Sequence, residues 1–314
     1  MNPRLAIAVP KSSENGVAIA HQSFAHHAKS FRLAANFLPK EHIDDIAVLY
    51  HFCRSVDDAV DEATTIEDAH HNLADIEQHL QSNQSSYLDT FKKVVQTHDI
   101  PMHAIQALMQ GCEGDLYPVQ IEDLEALSRY CYQVAGSVGE MMSPLLNVTS
   151  PEATQFAIDL GLGMQITNIC RDVLEDAERG RVYLPSEWLY EHELTPEDIL
   201  QQNVDPLKIA SIIDRMLNTA EISYRRAYIG CRYIPFRSRL GILVARRVYR
   251  AIGLKLRSRH QSNPFHGRTM LSKWEKLWQV GLGFLDAFNP VTFGLWKPKT
   301  PESPMYNHID ELTQ

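Results

Sequence analysis

Cysteine is scarce in this 314-residue chain, and the five present (Cys53, Cys112, Cys131, Cys170, Cys231) are odd in number and nowhere spaced C-x-x-C. That excludes a disulfide framework and argues against a zinc site. Thiols inside apolar helical stretches point instead to packing in a reducing compartment. Long hydrophobic runs are missing too. The N-terminal LAIAV ends at Pro10, too short for a signal-peptide core or a membrane span. The Trp- and Phe-rich stretch 274–296 is interrupted by Asp286 and Pro290; it cannot cross a bilayer, but it can dock on one or fold onto the core. There is no β-type alternation of any length, no low-complexity linker and no G-x-G-x-x-G, so neither strands nor a dinucleotide fingerprint is expected. Acid is absent from Ile222 to Trp274, where thirteen Lys or Arg stand in a chain of net charge −9. The segment reads as a solvated basic helix face or as a surface for anionic headgroups. Its cations are spread around helices without a recognised motif, so no nucleic acid is expected.

What is present is helical periodicity almost from end to end, and it predicts a single all-α domain with length to spare for a large core. The expected layout is a disordered tail over 1–15, a helical body over 16–290 and a C-terminal tail over 291–314. The chain is organised around residues 161–185, GLGMQITNICRDVLEDAERGRVYLP. At about 100° per residue, Gln165, Asn168, Asp172 and Asp176 share one side of a helix whose remaining circumference is mostly apolar. Aligned carboxylates on a buried helix need water, a cation or a base, because isolated ones protonate or cost several kcal/mol.

A second stretch repeats the device. In AVLYHFCRSVDDAVDEA, Tyr50, Arg54, Asp57 and Asp61 share one face, with Asp58 slightly aside. Two D-x-x-x-D pairs facing each other across a cavity suit hard cations such as Mg²⁺, which bind through oxygen and bridge to phosphates. A third region, 121–147, carries Gly136 and Gly139 inside an apolar helix, where each glycine costs about 1 kcal/mol relative to alanine. That cost implies close approach of another helix or of a long apolar ligand, or a kink. Val134 and Val138, four apart, can wall a hydrocarbon tunnel or simply pack the core. Residues 111–120, GCEGDLYPVQ, read as a loop whose Glu113 and Asp115 invite a metal assignment, although two acids in a glycine-bearing loop are more often solvated.

Tyr50 and Arg54 with DDAVDE at 57–62, YCYQVAGSVGE at 130–140 and QITNICRDVLEDAERGRVYLP at 165–185 occur in that order. Together they closely resemble the squalene/phytoene synthase family over roughly residues 20–280. Bacterial phytoene synthases are nearest, through YCYQVAGSVGE and GRVYLPSEWL.

The resemblance implies an isoprenoid synthase fold, helices around a central apolar cavity, and head-to-head condensation of two prenyl diphosphates through a cyclopropylcarbinyl diphosphate. The expected substrate is geranylgeranyl diphosphate, giving phytoene. The alternative is farnesyl diphosphate, giving squalene with NADPH, or dehydrosqualene, presqualene diphosphate or hydroxysqualene. By the same resemblance Asp57, Asp58, Asp61, Asn168, Asp172 and Asp176 would bind Mg²⁺ or Mn²⁺. Arg54, Arg171, Arg181, Tyr183 and Arg268 would hold diphosphate, with Gln165 and Asn168 orienting it. Tyr50 and Tyr130 would sit at the reacting carbons, Tyr130 assisting proton removal. His21 and Ser23 would reach the diphosphate and Phe24 the cavity wall, although Gln22 stands where several relatives carry a basic residue. A monomer or weak homodimer is expected, cytoplasmic and in peripheral contact with the inner face of the membrane. Two other classes fit the sequence less well. A di-iron bundle takes Glu and E-x-x-H, whereas the aligned acids here are Asp. A catalytically silent relative acting as an assembly or binding module would be expected to lose some of these acids and arginines, and all are intact.

Overall fold

The computed structural model describes residues 13–27, 37–82, 84–119, 121–148 and 150–309, the side chains of 13–15, 24–27 and 307 excepted. All regular structure among them is helical. Helix α1 (Ser13–His27) packs on α2 (Lys40–Asp61), which carries the first acid motif. Then come α3 (Ile66–Gln81), α4 (Asp89–His98) and α5 (Met102–Gly114). Helix α6 (Leu124–Cys131) runs through a π-helical turn, Tyr132–Gly136, into α7 (Ser137–Leu145). The second acid motif lies on α8 (Pro151–Glu178), followed by two short helices, α9 (Ser186–Glu191) and α10 (Pro196–Leu200). Helices α11 (Pro206–Gly230), α12 (Phe236–His260) and α13 (Lys273–Ala287) complete the body. Of the tail expected over 1–15, residues 1–12 lie outside the described residues, as do 28–36 between α1 and α2.

Local chemistry sets the helix ends. Thr65, Asp123, Asp205 and Ser272 each accept a backbone N–H in the first turn of α3, α6, α11 and α13, satisfying donors with no partner inside the helix. Pro151 opens α8, where its missing N–H costs nothing. Helix α5 continues through Gly114, so the loop expected from 111 begins later.

Helix α8 is the hub, packed against α7, α11 and α12. Its glycines set the spacing. A Cβ on Gly161 would stand 2.3 Å from the Ala135 carbonyl oxygen, and one on Gly139 would stand 2.3 Å from that of Ala157. Gly139 and Gly161 therefore allow backbone contact between α8 and the segment formed by the π turn and α7. The C-terminal stretch written as a tail from 291 returns to the body, burying Met305 and Ile309 in the core around α8 and α11.

The basic segment 222–274 is only in part a solvated face. Arg226 binds Asp159 at 2.7 Å, Arg247 binds Asp286 at 2.5 Å, Arg250 binds Glu221 at 2.6 Å and Arg257 binds Asp214 at 2.8 Å. The partners lie on other turns and other helices, where local charge counting does not see them.

Candidate active site

Between α2 and α8 lies a cavity of about 330 Å³, closed by the π turn, α7, α11 and α12. Its wall is mostly apolar and includes Val134, Val138, Met142 and Leu160; Gly139 and Gly161 also line it. Apart from Ser143 of α7, the polar lining groups are Tyr50 and Cys53 from α2, Gln165 and Asn168 from α8, and Tyr249 from α12. One turn beyond Cys53 is Asp57, and one turn beyond Asn168 is Asp172. The acids thus stand at the mouth, beyond the apolar wall.

Asp57, Asp58, Asp61 and Asp172 are each paired with an arginine. Arg54 binds Asp57 at 2.8 Å and also Asp58. Arg171 donates from Nε to Asp172 at 2.7 Å, and Arg268 reaches the same carboxylate at 3.0 Å and Glu175 at 3.0 Å. Arg181, in the loop after α8, crosses to Asp61 of α2 at 3.3 Å, with Arg179 at 3.8 Å from the same carboxylate. Both arginines also exert a field on Asp176, so they join the two motifs into one electrostatic cluster.

Negative charge remains in excess. Burial, with the neighbouring carboxylates Asp61, Asp58 and Asp115, pushes Asp57 up to about 6 against the pull of Arg54. Burial, then Asp172 and Glu175, pushes Asp176 up to about 7. Asn168 Nδ2 donates to Gln165 at 3.4 Å, while its buried Oδ1 has no donor. Carboxylates that hold protons this high and an orphaned oxygen are what a hard cation would satisfy. Among the described residues, however, no group of three or more His, Cys, Asp or Glu is already gathered closely enough to grip a metal; the arginines stand among the acids.

Asp115 was not expected here. Tyr183 Oη donates to it at 2.9 Å and Tyr130 Oη at 3.3 Å, the two rings stacking at 4.8 Å, and Arg181 donates to its backbone oxygen at 3.3 Å. Burial raises the Asp115 carboxyl despite these donors, so the solvated-loop reading of this residue is wrong. Burial and the adjacent Asp115 push the Tyr130 phenol well above its ordinary range. Such a phenol keeps its proton, which speaks against Tyr130 as a base. It lies one turn before the lining residue Val134. Tyr50 lines the cavity, its phenol pushed up to about 12 by burial. Tyr249, also unexpected, lines the cavity from α12 and feels Arg171 and Asp172.

His21 is not at the mouth. It bonds to Asp44 at 2.7 Å, and Asp44 precedes Asp57 by thirteen residues along α2, about 20 Å at 1.5 Å per residue. Ser23, two residues on, belongs to the same helix and is half-buried; the Phe24 side chain lies outside the described residues.

The family profile described as squalene/phytoene synthase matches residues 24–275. A phytoene synthase of Rhodobacter capsulatus is 35% identical over 265 residues, 82% of this chain and 78% of that one. A 15-cis-phytoene synthase of Enterobacter agglomerans is 36% identical over 245 residues, covering 73% and 82%. Among solved structures, a dehydrosqualene synthase in complex with ligand superposes with a TM-score of 0.76 at 25% identity, covering 88% of this chain and 98% of that one. A squalene synthase of Alicyclobacillus acidocaldarius shares the fold, with a TM-score of 0.73 at 22% identity, covering 82% and 98%.

Proposed function

We propose that this chain, which belongs to the squalene/phytoene synthase family, is a prenyltransferase joining two geranylgeranyl diphosphates head to head to give phytoene. One observation carries the reading: an apolar cavity opens between two carboxylate and arginine clusters that share Arg179 and Arg181. The charged end suits two diphosphates, and the apolar length suits their hydrocarbon chains.

The cavity is long enough for the C20 substrate. From Ala153 to Asn168 the cavity follows fifteen residues of α8, about 22 Å. An extended C20 prenyl chain has about sixteen backbone carbons and spans about 18 Å, and a C15 chain about 13 Å, at roughly 1.2 Å per bond. The longer chain fits with its diphosphate still at the mouth.

Mg²⁺ would be held by Asp57, Asp61, Asp172 and Asp176, with Asn168 Oδ1 as a neutral oxygen and Asp58 beside them. When bound, the cations supply positive charge against the departing diphosphate. The protein's own part begins with an exchange of partners. Arg54, Arg171, Arg181 and Arg268 each trade a carboxylate for phosphate oxygens, which their forked donors match. Gln165 and Asn168 orient the diphosphate at the cavity rim, and the Tyr183 hydroxyl holds Asp115 beside Arg181. Deeper in, Val134, Val138 and Leu160 keep water from the allylic cation, which it would quench. The Tyr50 and Tyr249 rings offer their faces to positive charge. In the first half-reaction the C–O bond of one substrate breaks, and its C1 is joined to the double bond of the other with loss of a proton. In the second, the cyclopropylcarbinyl C–O bond breaks, the skeleton rearranges and a proton is lost. With Tyr130 held as a phenol, released diphosphate is the better-placed base.

Incubating purified protein with geranylgeranyl diphosphate and Mg²⁺ should yield phytoene without added reductant. Turnover confined to farnesyl diphosphate would reassign the substrate; no Mg²⁺-dependent product from either would remove the enzymatic reading.

A further inference from the structure

Helix α13 lies on the outside of α12 and turns an apolar face away from the body. Trp274, Leu277, Trp278, Leu285 and Phe288 fall on one stripe about 100° wide. Their exposure is high, Trp274 at 80% and Leu285 at 70%. The turn that follows adds Phe293, Leu295 and Trp296, with Leu295 at 82%. Inward positions do the packing instead: Val280, Gly283 and Ala287 are buried, and a Cβ on Gly283 would press on Val244 of α12 at 2.9 Å. The outer residues are therefore not needed to hold the helix in place. An apolar surface of this extent is uncommon on a chain that meets only water.

Charge selects the partner. The two acids of the region are paired, Glu275 with Lys255 at 2.7 Å and Asp286 with Arg247 at 2.5 Å. Exposed cations rim the patch: Lys273 beside Trp274, Lys297 and Lys299 after Trp296, and Arg237 beside Phe236, whose ring meets Phe288 at 5.7 Å. No uncompensated carboxylate stands among the aromatics. A second copy of the chain docking through this face would set lysine against lysine with no acid to receive it. A surface carrying anionic headgroups over hydrocarbon complements both features, since Trp suits the headgroup level and Leu and Phe the acyl boundary.

We propose that the outer face of α13 and the turn over 288–296 form a docking surface for an anionic phospholipid bilayer, on which the helix lies flat. No described helix is long and apolar enough to cross a membrane, so attachment by this surface is peripheral. The inference goes beyond the reaction and stands whichever prenyl diphosphate is used.

Co-sedimentation of the full chain with phosphatidylcholine vesicles, with and without about one-third phosphatidylglycerol, tests it. The protein should pellet with the anionic vesicles, release as salt rises, and show a blue shift of tryptophan emission on binding. Trp274→Ser, Trp278→Ser and Leu285→Ser together should lower the partition coefficient at least about tenfold. Melting temperature and turnover on detergent-dispersed substrate should stay as in the parent, since these side chains touch neither core nor site. Lys273→Glu with Lys297→Glu should weaken binding to the anionic vesicles only. A parent that stays in the supernatant with anionic vesicles, or a triple variant that binds as well as the parent, overturns the proposal. So does a parent dimer, broken by the triple variant, with no vesicle binding, which would give the face to a second copy.

Discussion

Arg181 and Asp61, 120 positions apart in the chain, form an ion pair at 3.3 Å that ties the loop after α8 to the last turn of α2. The pair joins the two acid motifs at the mouth of the cavity, so its loss should register in catalysis before it registers in folding. Both side chains are partly exposed, and such pairs contribute about 1 kcal/mol or less to stability. Arg181→Gln should leave the urea midpoint nearly unchanged. A charged hydrogen bond to diphosphate contributes about 1.5–3 kcal/mol, so kcat/KM should fall about 10- to 150-fold. Arg181→Lys should recover part of the loss, keeping the charge without the fork. A large drop in stability with unchanged kcat/KM would make Arg181 a structural residue.

Asp172 receives both Arg171 and Arg268, which makes it the most heavily paired acid at the mouth. Asp172→Asn keeps the shape and removes the charge. Hydrocarbon formation should fall below detection while the circular dichroism spectrum and melting temperature change little. Full turnover in this variant would remove the metal-binding role.

The two acid helices were legible because both members of each D-x-x-x-D pair lie on one helix, where spacing alone fixes the face. Gly139 was legible for a similar reason: glycine inside an apolar helix has a cost that close approach, of a helix or of a ligand, or a kink must repay, and the structure shows a helix there. Asp115 was not legible. It follows Glu113 and Gly114 in what reads as a loop, and it is held by Tyr130 and Tyr183, fifteen and 68 positions away. Tyr249 sits in RRVYRAIG, whose local pattern speaks of charge and not of a cavity wall. His21 failed in the opposite sense: the family resemblance assigned it to diphosphate, but the fold gives it Asp44. Several cations of 222–274, Arg226, Arg247, Arg250 and Arg257 among them, likewise met acids on other helices.

The raised carboxyls at the mouth set a pH dependence. A carboxyl pushed up to about 7 (Asp176) or about 6 (Asp57) keeps its proton into the range where ordinary carboxylates are ionised. A cation must displace that proton, so apparent Mg²⁺ affinity should be flat above about pH 7. It should weaken about tenfold per pH unit between 7 and 6, and more steeply below 6 where both protons compete. The same shift has a sign for stability. The folded chain binds more protons than the unfolded one between about pH 4 and 7, so without cation these groups cost stability as pH rises through that window. Melting curves at about pH 5.5 and about pH 8 should show Mg²⁺ stabilising strongly only at the higher pH. Equal stabilisation at both would place the cation elsewhere.

Gly161 and Gly281 are both helical glycines and should respond oppositely to alanine. At Gly161 the added Cβ meets the Ala135 carbonyl at 2.3 Å and the Gly136 Cα at 2.9 Å. These are backbone atoms, so relief requires α8 and the π turn to move apart. Gly161→Ala should destabilise by about 1–3 kcal/mol, the usual cost of overpacking. Because Gly161 and Ala135 both line the cavity, it should also lower turnover of the C20 substrate. At Gly281, on the outer face of α13, nothing lies within 4 Å of a new Cβ; alanine there should add up to about 1 kcal/mol through helix propensity alone. Urea midpoints of the two variants check both signs, and a neutral Gly161→Ala would show that α8 and the π turn have room to separate, contrary to the contact that fixes the cavity wall.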